Sequence, residues 1–180
     1  MAWTAPMTAV SSAIFTAPQF NLNVRDNLLE TMPAKASLTG QYFTTNATNA
    51  VVARRIASAT VSTSQSTTST TFTDLTTAGP SVTITTSTRA LVIVSAEMTK
   101  GSGDTTTSTA RASIDVTGAS TIVAGDDIGL CRAGPNRPFQ FSREVYYTAL
   151  NEGSNTFKMV YRVSSGTGTF SNREIVVIPF

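Results

Sequence analysis

The sequence predicts a mostly β protein, an antiparallel β-sandwich or jelly-roll head preceded by an extended arm and one short α-helix. Three observations carry that expectation. Charged residues make up only 13% of the 180 residues, about half the usual fraction of roughly 25%, while Thr, Ser, Val and Ile are abundant, which suits a sheet surface. Turn residues punctuate the carboxy-terminal part at intervals of about 8 to 12 residues, the spacing of an all-β sandwich or barrel. Only one stretch, residues 15–29, spaces its apolar side chains as a helix does. The chain divides accordingly into residues 1–33, an arm with an anchoring helix; residues 34–71, a β-rich connector with a Ser/Thr-rich linker; and residues 72–180, the head.

The helix is written into its ends. Thr16 is placed to cap it and Gln19, three residues on, to return the bond, so that two orphan donors are satisfied reciprocally. Pro18 lies in the first turn, where a missing N–H does no harm. Phe15 and Phe20 stand at the spacing of a hydrophobic staple. Phe20, Val24 and Leu28 repeat every four residues and make one apolar face, with Arg25, Asp26 and Asn27 off it. Met32 and Pro33 stop the element, because the residue before a proline leaves the helical region. Ahead of it, residues 1–14 are small and apolar around one large aromatic, Trp3. Trp3 either anchors an extended arm on another surface or folds back on its own domain.

After the helix, a turn at Thr39 and Gly40 precedes two short β-type runs, 41–44 and 50–56, the second with Arg54 and Arg55, which mark either a solvent-facing edge or a contact with an acidic partner, the edge being favoured. Residues 58–72 are nearly pure Ser and Thr, and because β-branched Thr favours extended chain, the first half is expected as a linker or exposed strand and the second half as the entry into the head. The head begins at Phe72. Strands are expected at 81–85, at 90–97 as a continuously apolar central strand, and at 109–116, where Ala110, Ala112, Ile114 and Val116 alternate with Arg111, Ser113 and Asp115. A short strand follows at 121–124, then two long ones, 139–150 and 155–163, joined as a hairpin at Asn151 to Ser154. Runs 169–171 and 174–178 close the chain.

The composition excludes several kinds of chemistry. A net charge of +2, from 13 basic and 11 acidic residues, is too weak and dispersed for a nucleic-acid or anionic-membrane partner. No stretch approaches the ~20 apolar residues of a membrane helix, and no basic segment with an apolar run opens the chain, so synthesis without a signal peptide is expected. Histidine is absent, which removes the commonest general base and metal ligand and any Ser-His-Asp arrangement. Asp126 and Asp127 are adjacent, so in extended chain they point to opposite faces and read as a solvated turn. With Asp104 they are too few to ligate calcium. Cys131, the sole cysteine, forms no intrachain disulfide and is expected as a small buried side chain. The aromatics Phe139, Phe141, Tyr146, Tyr147, Phe157 and Tyr161 either pack in the core or stack on a sugar ring, and alternation places most of them in the core. No catalytic residue, cofactor or metal site is expected, and the protein is read as a non-enzyme.

The amino-terminal residues carry a resemblance. Trp3 and Pro6, then Phe15, Thr16 and Ala17, Phe20 and Asn21, and Val24, Arg25, Asp26, Asn27 and Leu28 together resemble a short module that opens many virion structural proteins of tailed phages, particularly those of actinobacterial hosts. Pro18 and Gln19 depart from the pair of small residues usual there. Downstream, Asp74 and Leu75, the apolar run 90–94, Gly153 to Asn155, Tyr161 to Val163 and Ser171 to Arg173 resemble the jelly-roll heads carried behind such modules. Those heads are similar to tumour-necrosis-factor and C1q domains and often assemble as trimers. The resemblance implies a homotrimeric protein on the virion surface, a capsid decoration or head-fibre protein held on the major capsid protein by Trp3, Phe15, Phe20, Asn21, Val24, Arg25, Asp26, Asn27 and Leu28. It implies equally a minor tail protein or short tail fibre whose head binds a host-surface glycan. Shortness favours the capsid: there is one arm and one head, with no long shaft between them.

Overall fold

The computed structural model describes residues 4, 7–8, 10–31, 35–48, 50–101, 107–134 and 137–180. Trp3, Pro6, Met32, Pro33 and Asp104 lie outside the described residues. The chain forms two compact units, Met1–Arg55 with Phe180, and Ile56–Pro179.

In the first unit the helix runs as three consecutive pieces, α1 (Ala17–Phe20), a π-helical turn (Asn21–Arg25) and α2 (Asp26–Leu29). Its start follows the sequence closely. Thr16 N–H donates to Gln19 Oε1 at 2.9 Å, and Gln19 N–H returns to Thr16 Oγ1 at 3.4 Å, which completes the capping box. The rings of Phe15 and Phe20 meet edge to face at 6.0 Å, so the staple is closed. The π turn is marked by the Asp26 N–H, which reaches the Asn21 carbonyl five residues back. A hairpin follows, β1 (Tyr42–Ala47) paired antiparallel with β2 (Ala50–Arg54). Arg54, expected with Arg55 on a solvated edge, is buried opposite Tyr42, while Arg55 is exposed. Successive strand residues point to opposite faces, so Arg54 and Arg55 need not share one environment.

The second unit is an antiparallel β-sandwich. Its strands are β3 (Ala57–Val61), β4 (Gln65–Thr67), β5 (Ser81–Thr86), β6 (Ala90–Lys100), β7 (Thr109–Gly118), β8 (Leu130–Ala133), β9 (Phe139–Tyr147), β10 (Gly153–Val163) and β11 (Gly168–Pro179). One sheet has the order β5-β10-β7-β8; the other has β3-β11-β6-β9, with β4 also pairing β11. The core lies between them. Val92, Val94, Ala96 and Met98 of β6 and Phe170, Ile175 and Val177 of β11 face Ala112, Ile114 and Val116 of β7 and Phe157, Met159 and Tyr161 of β10. The alternation expected for 109–116 is present, with Ala110, Ala112, Ile114 and Val116 inward. Tyr161 and Phe170 pack ring to ring at 4.8 Å across the layers.

Three expectations change. The segments 139–147 and 153–163 do not form a hairpin: β9 pairs with β6, and β10 pairs with β5 and β7 in the opposite sheet. The intervening residues carry the chain from one layer to the other, and Asn155 braces the crossing. Its Nδ2 donates to Thr86 Oγ1 at 2.8 Å and to the Asn151 carbonyl at 3.0 Å, and its Oδ1 accepts from Ser120 N–H at 2.7 Å. Gly118, next to this junction, has φ +108 and lies where a Cβ would stand 2.4 Å from the Ser154 carbonyl, so only glycine fits. Residues 121–124 make a single bridge, Val116 with Ile122, and the strand proper is β8. Within β8, Leu130 takes the inward position and Cys131, one residue on, is exposed rather than buried.

Candidate attachment surface

The helix presents a surface opposite to the one its polar residues would suggest. Asn27 is buried, and its amide pairs with the backbone of Thr4 as a second peptide group would. Asn27 Oδ1 accepts from Thr4 N–H at 2.9 Å, and Nδ2 donates to the Thr4 carbonyl at 3.2 Å and to the Asn23 carbonyl at 3.0 Å. The Thr4 hydroxyl lies 3.0 Å from Asn27 Oδ1 and 3.2 Å from the Leu22 carbonyl. The amide thus uses donors and acceptor together, and it ties the start of the chain to the last turn of the helix. Nearby, Arg25 Nε donates to Asp26 Oδ1 at 2.7 Å on the outside of the helix, and Lys35 Nζ sits 2.9 Å from Glu30 Oε2.

The apolar residues go the other way. Phe15, Phe20, Leu22, Leu28 and Leu29 are all close to half exposed, from 48% for Phe20 to 59% for Leu28. Ile14 is 85% exposed, and with Met7, Val10, Ala13, Phe15 and Gln19 it lines a hollow of about 350 Å³. Of the residues expected to anchor the chain, Phe15, Phe20 and Leu28 are each about half exposed, while Asn21 and Val24 are partly covered. Arg25 and Asp26 bond each other, Asn27 is turned inward, and Trp3 lies outside the described residues. The partnership of Thr4 with Asn27 is absent from the sequence reading. An asparagine beside a charged pair looks like solvated surface, and nothing local marks a contact 23 residues away.

In the head the polar clusters serve the framework. The Asp126 carboxylate accepts from Arg162 Nε at 2.9 Å and from Arg162 Nη2, with Arg111 Nη1 at 3.7 Å. The hydrogen bond from Arg162 holds this carboxyl below the usual carboxylate range. Both of its oxygens are thereby taken up in fixing the turn Asp126–Ile128 to β10. Arg162 lies 5.2 Å above the Phe72 ring, at a shallow hollow shared with Thr70, Thr71 and Val123. Inside the sandwich, Arg173 has no exposed surface and is held by neutral acceptors only. Its Nη1 donates to the carbonyls of Thr77 at 3.3 Å and Gly79 at 3.1 Å, and its Nη2 to the Thr63 carbonyl at 3.3 Å and Gln65 Oε1 at 3.5 Å. Tyr161 OH also donates to the Gly79 carbonyl, at 2.8 Å, and burial raises the phenol above its ordinary pKa. Among the described residues, no three His, Cys, Asp or Glu side chains are grouped to hold a metal ion, and no helix is long and apolar enough to cross a membrane. Comparison of the chain with models of known families and with curated proteins gives no match.

Proposed function

We propose that the chain is a non-enzymatic structural protein of a tailed-phage virion, a homotrimeric capsid decoration or head-fibre protein attached through its amino-terminal unit. The observation that carries this reading is the placement of exposed apolar surface. Of the thirteen large apolar side chains exposed among the described residues, eight lie between Met7 and Leu29. A concentration of this kind on one short segment marks an interaction surface, because isolated soluble domains rarely leave such patches open. The resemblance of the same segment to the opening module of phage virion proteins names the class of partner, a protein shell. Behind it, the sandwich supplies a rigid head whose polar clusters bond to one another.

Deleting residues 1–30 tests the reading. The truncated protein is expected to remain a folded head, with the circular dichroism and melting of the intact head, and to be lost from purified particles. Truncated protein that still joins particles refutes the anchor. Mass spectrometry of separated heads and tails then places the protein: many copies on tail-free heads are expected, and a few copies confined to tails would make it a minor tail protein instead.

A further inference from the structure

The amino-terminal helix buries polar side chains and exposes apolar ones, and on an unbroken α-helix two of these placements conflict. Asn27 and Glu30 are buried and Asn23 and Asp26 are partly covered, whereas Phe20 and Leu28 are each about half exposed. Phe20 and Asn27 stand seven positions apart. At about 100° per residue, such a pair falls within about 20° on a regular α-helix. Asn27 then could not turn inward while Phe20 turns outward, and Leu28 would stand about 80° from Phe20. The π turn removes the conflict. Its hydrogen bond runs from the Asp26 N–H to the Asn21 carbonyl, five residues back, so this turn holds one residue more than an α turn. Side chains beyond it are set back by the rotation of that one residue, about 100°. Asn27 comes to lie about 120° from Phe20, where its amide meets the Thr4 backbone. Leu28 takes the place within about 20° of Phe20 that Asn27 would otherwise hold.

We infer that the π turn builds the docking face: its extra residue sets Phe20 and Leu28 on one line for a partner and turns Asn27 to Thr4. This role rests on the attachment proposed above, and it gives the partner a shape. Phe20 and Leu28 project from one side two turns apart, roughly 11 Å along the axis. The matching surface on the shell is an apolar groove that takes two side chains at that spacing, the helix-in-groove mode of recognition. Single π turns inside α-helices are frequent at functional sites, and this one sits between the two side chains that it aligns.

The test uses the full chain and a one-residue deletion, which in an ordinary helix turns every later side chain by about 100°. Deleting Arg25 removes the extra residue of the π turn. Phe20 and Leu28 then stand seven positions apart on a regular helix, in the relation that the π turn gives them now. Arg25→Ala keeps the length and controls for the lost charge. Inserting one alanine after Arg25 instead turns Asn27 and Leu28 by about another 100°. Hydrogen exchange at the Thr4 amide, which donates to Asn27 Oδ1, reads the inward side. It should stay within about threefold of the parent for the deletion and for Arg25→Ala, and rise at least about tenfold for the insertion. Cosedimentation with particles lacking the protein reads the outward side. Binding of the deletion should match that of Arg25→Ala within about threefold, and binding of the insertion should be at least about tenfold weaker. Rapid exchange at Thr4 in the deletion, binding by the deletion as weak as by the insertion, or parent-like exchange and binding by the insertion each overturns the proposal. A parent chain that binds no particles overturns the attachment reading instead, and the exchange pattern then decides by itself whether the turn sets the two faces of the helix.

Discussion

Arg173→Lys is conservative by sequence and is expected to be among the more damaging single changes in the head. The guanidinium is fully buried and works as a fork: Nη1 serves the carbonyls of Thr77 and Gly79, and Nη2 serves the Thr63 carbonyl and Gln65. It also lies 5.3 Å above the Tyr161 ring. One arm therefore holds the chain leading into β5, and the other holds the link between β3 and β4. A lysine ammonium is a point charge on a different stem and reaches one pair or the other, while the charge stays buried. Two hydrogen bonds from a charged donor are lost, each worth about 1.5 to 3 kcal/mol. Water reaching the partly buried Thr63 and Thr77 acceptors offsets part of that, which leaves a net loss of roughly 3 kcal/mol. For a unit of this size that corresponds to a fall in melting temperature of about 10 to 15 °C. Differential scanning calorimetry on the full chain reads the shift, and hydrogen exchange should show the loosening concentrated at residues 62–80. A melting temperature within about 3 °C of the parent would refute the reasoning, because it would mean that the fork holds nothing the ammonium cannot.

Asn27→Ala removes the three bonds that Asn27 makes to Thr4 and leaves only the Thr4 hydroxyl on the Leu22 carbonyl; residues 4–29 should become more sensitive to protease, with a local cost of about 1 to 2 kcal/mol, while the melting of the head is unaffected. For Asp126 the sign follows from its depressed pKa: its contribution is present above the unfolded carboxylate pKa of about 3.9 and is lost as pH falls through the lower folded value. Asp126→Asn should accordingly destabilise the head at neutral pH by under about 1 kcal/mol, as expected of a partly exposed pair, and its melting temperature should converge on the parent's as pH falls through the lowered value of the folded carboxyl. A gap that persists at low pH would assign the effect to packing instead of charge.

Local rules made much of the fold legible. The cap at Thr16 and Gln19, the Phe15–Phe20 staple and the alternation in β7 all depend on residues within a few positions of one another, and all are present in the structure. What failed was non-local. The residues 151–154 have good turn chemistry, but whether a turn joins neighbours in one sheet or crosses between two is decided by pairing with β5, β6 and β7. β8 was missed because four residues containing Cys131 and Arg132 show no period. Arg173 is in phase with the inward Ile175 and Val177, yet a charge at an inward position reads as the end of a strand. The acceptors that make its burial tolerable come from 94 to 110 residues away. The same limit hid the role of Asn27: its partner is at Thr4, and the helix alone gives no reason to turn it inward.

The orientation of that helix bears on what the amino-terminal unit does. An isolated helix this short is marginal in water; here the cap, the staple and the Asn27–Thr4 pairing hold it, and among its described residues no apolar side chain is buried. Had the unit evolved to stand alone, the inexpensive solution would be to turn Phe20, Leu22 and Leu28 inward and leave Asn27 wet. The observed arrangement does the reverse, using the polar side for internal ties and leaving Phe15, Phe20, Leu22, Leu28 and Leu29 near half exposure. Completing the burial of those five side chains against another surface is worth roughly 4 to 7 kcal/mol before the cost of ordering, at about 1.5 to 3 kcal/mol per fully buried large apolar side chain. On the attachment proposal, the helix is preorganised for docking and its own stability should rise when it docks. The attachment proposal needs that coupling, and it ties the segment that resembles a virion module to the place where apolar surface waits to be covered.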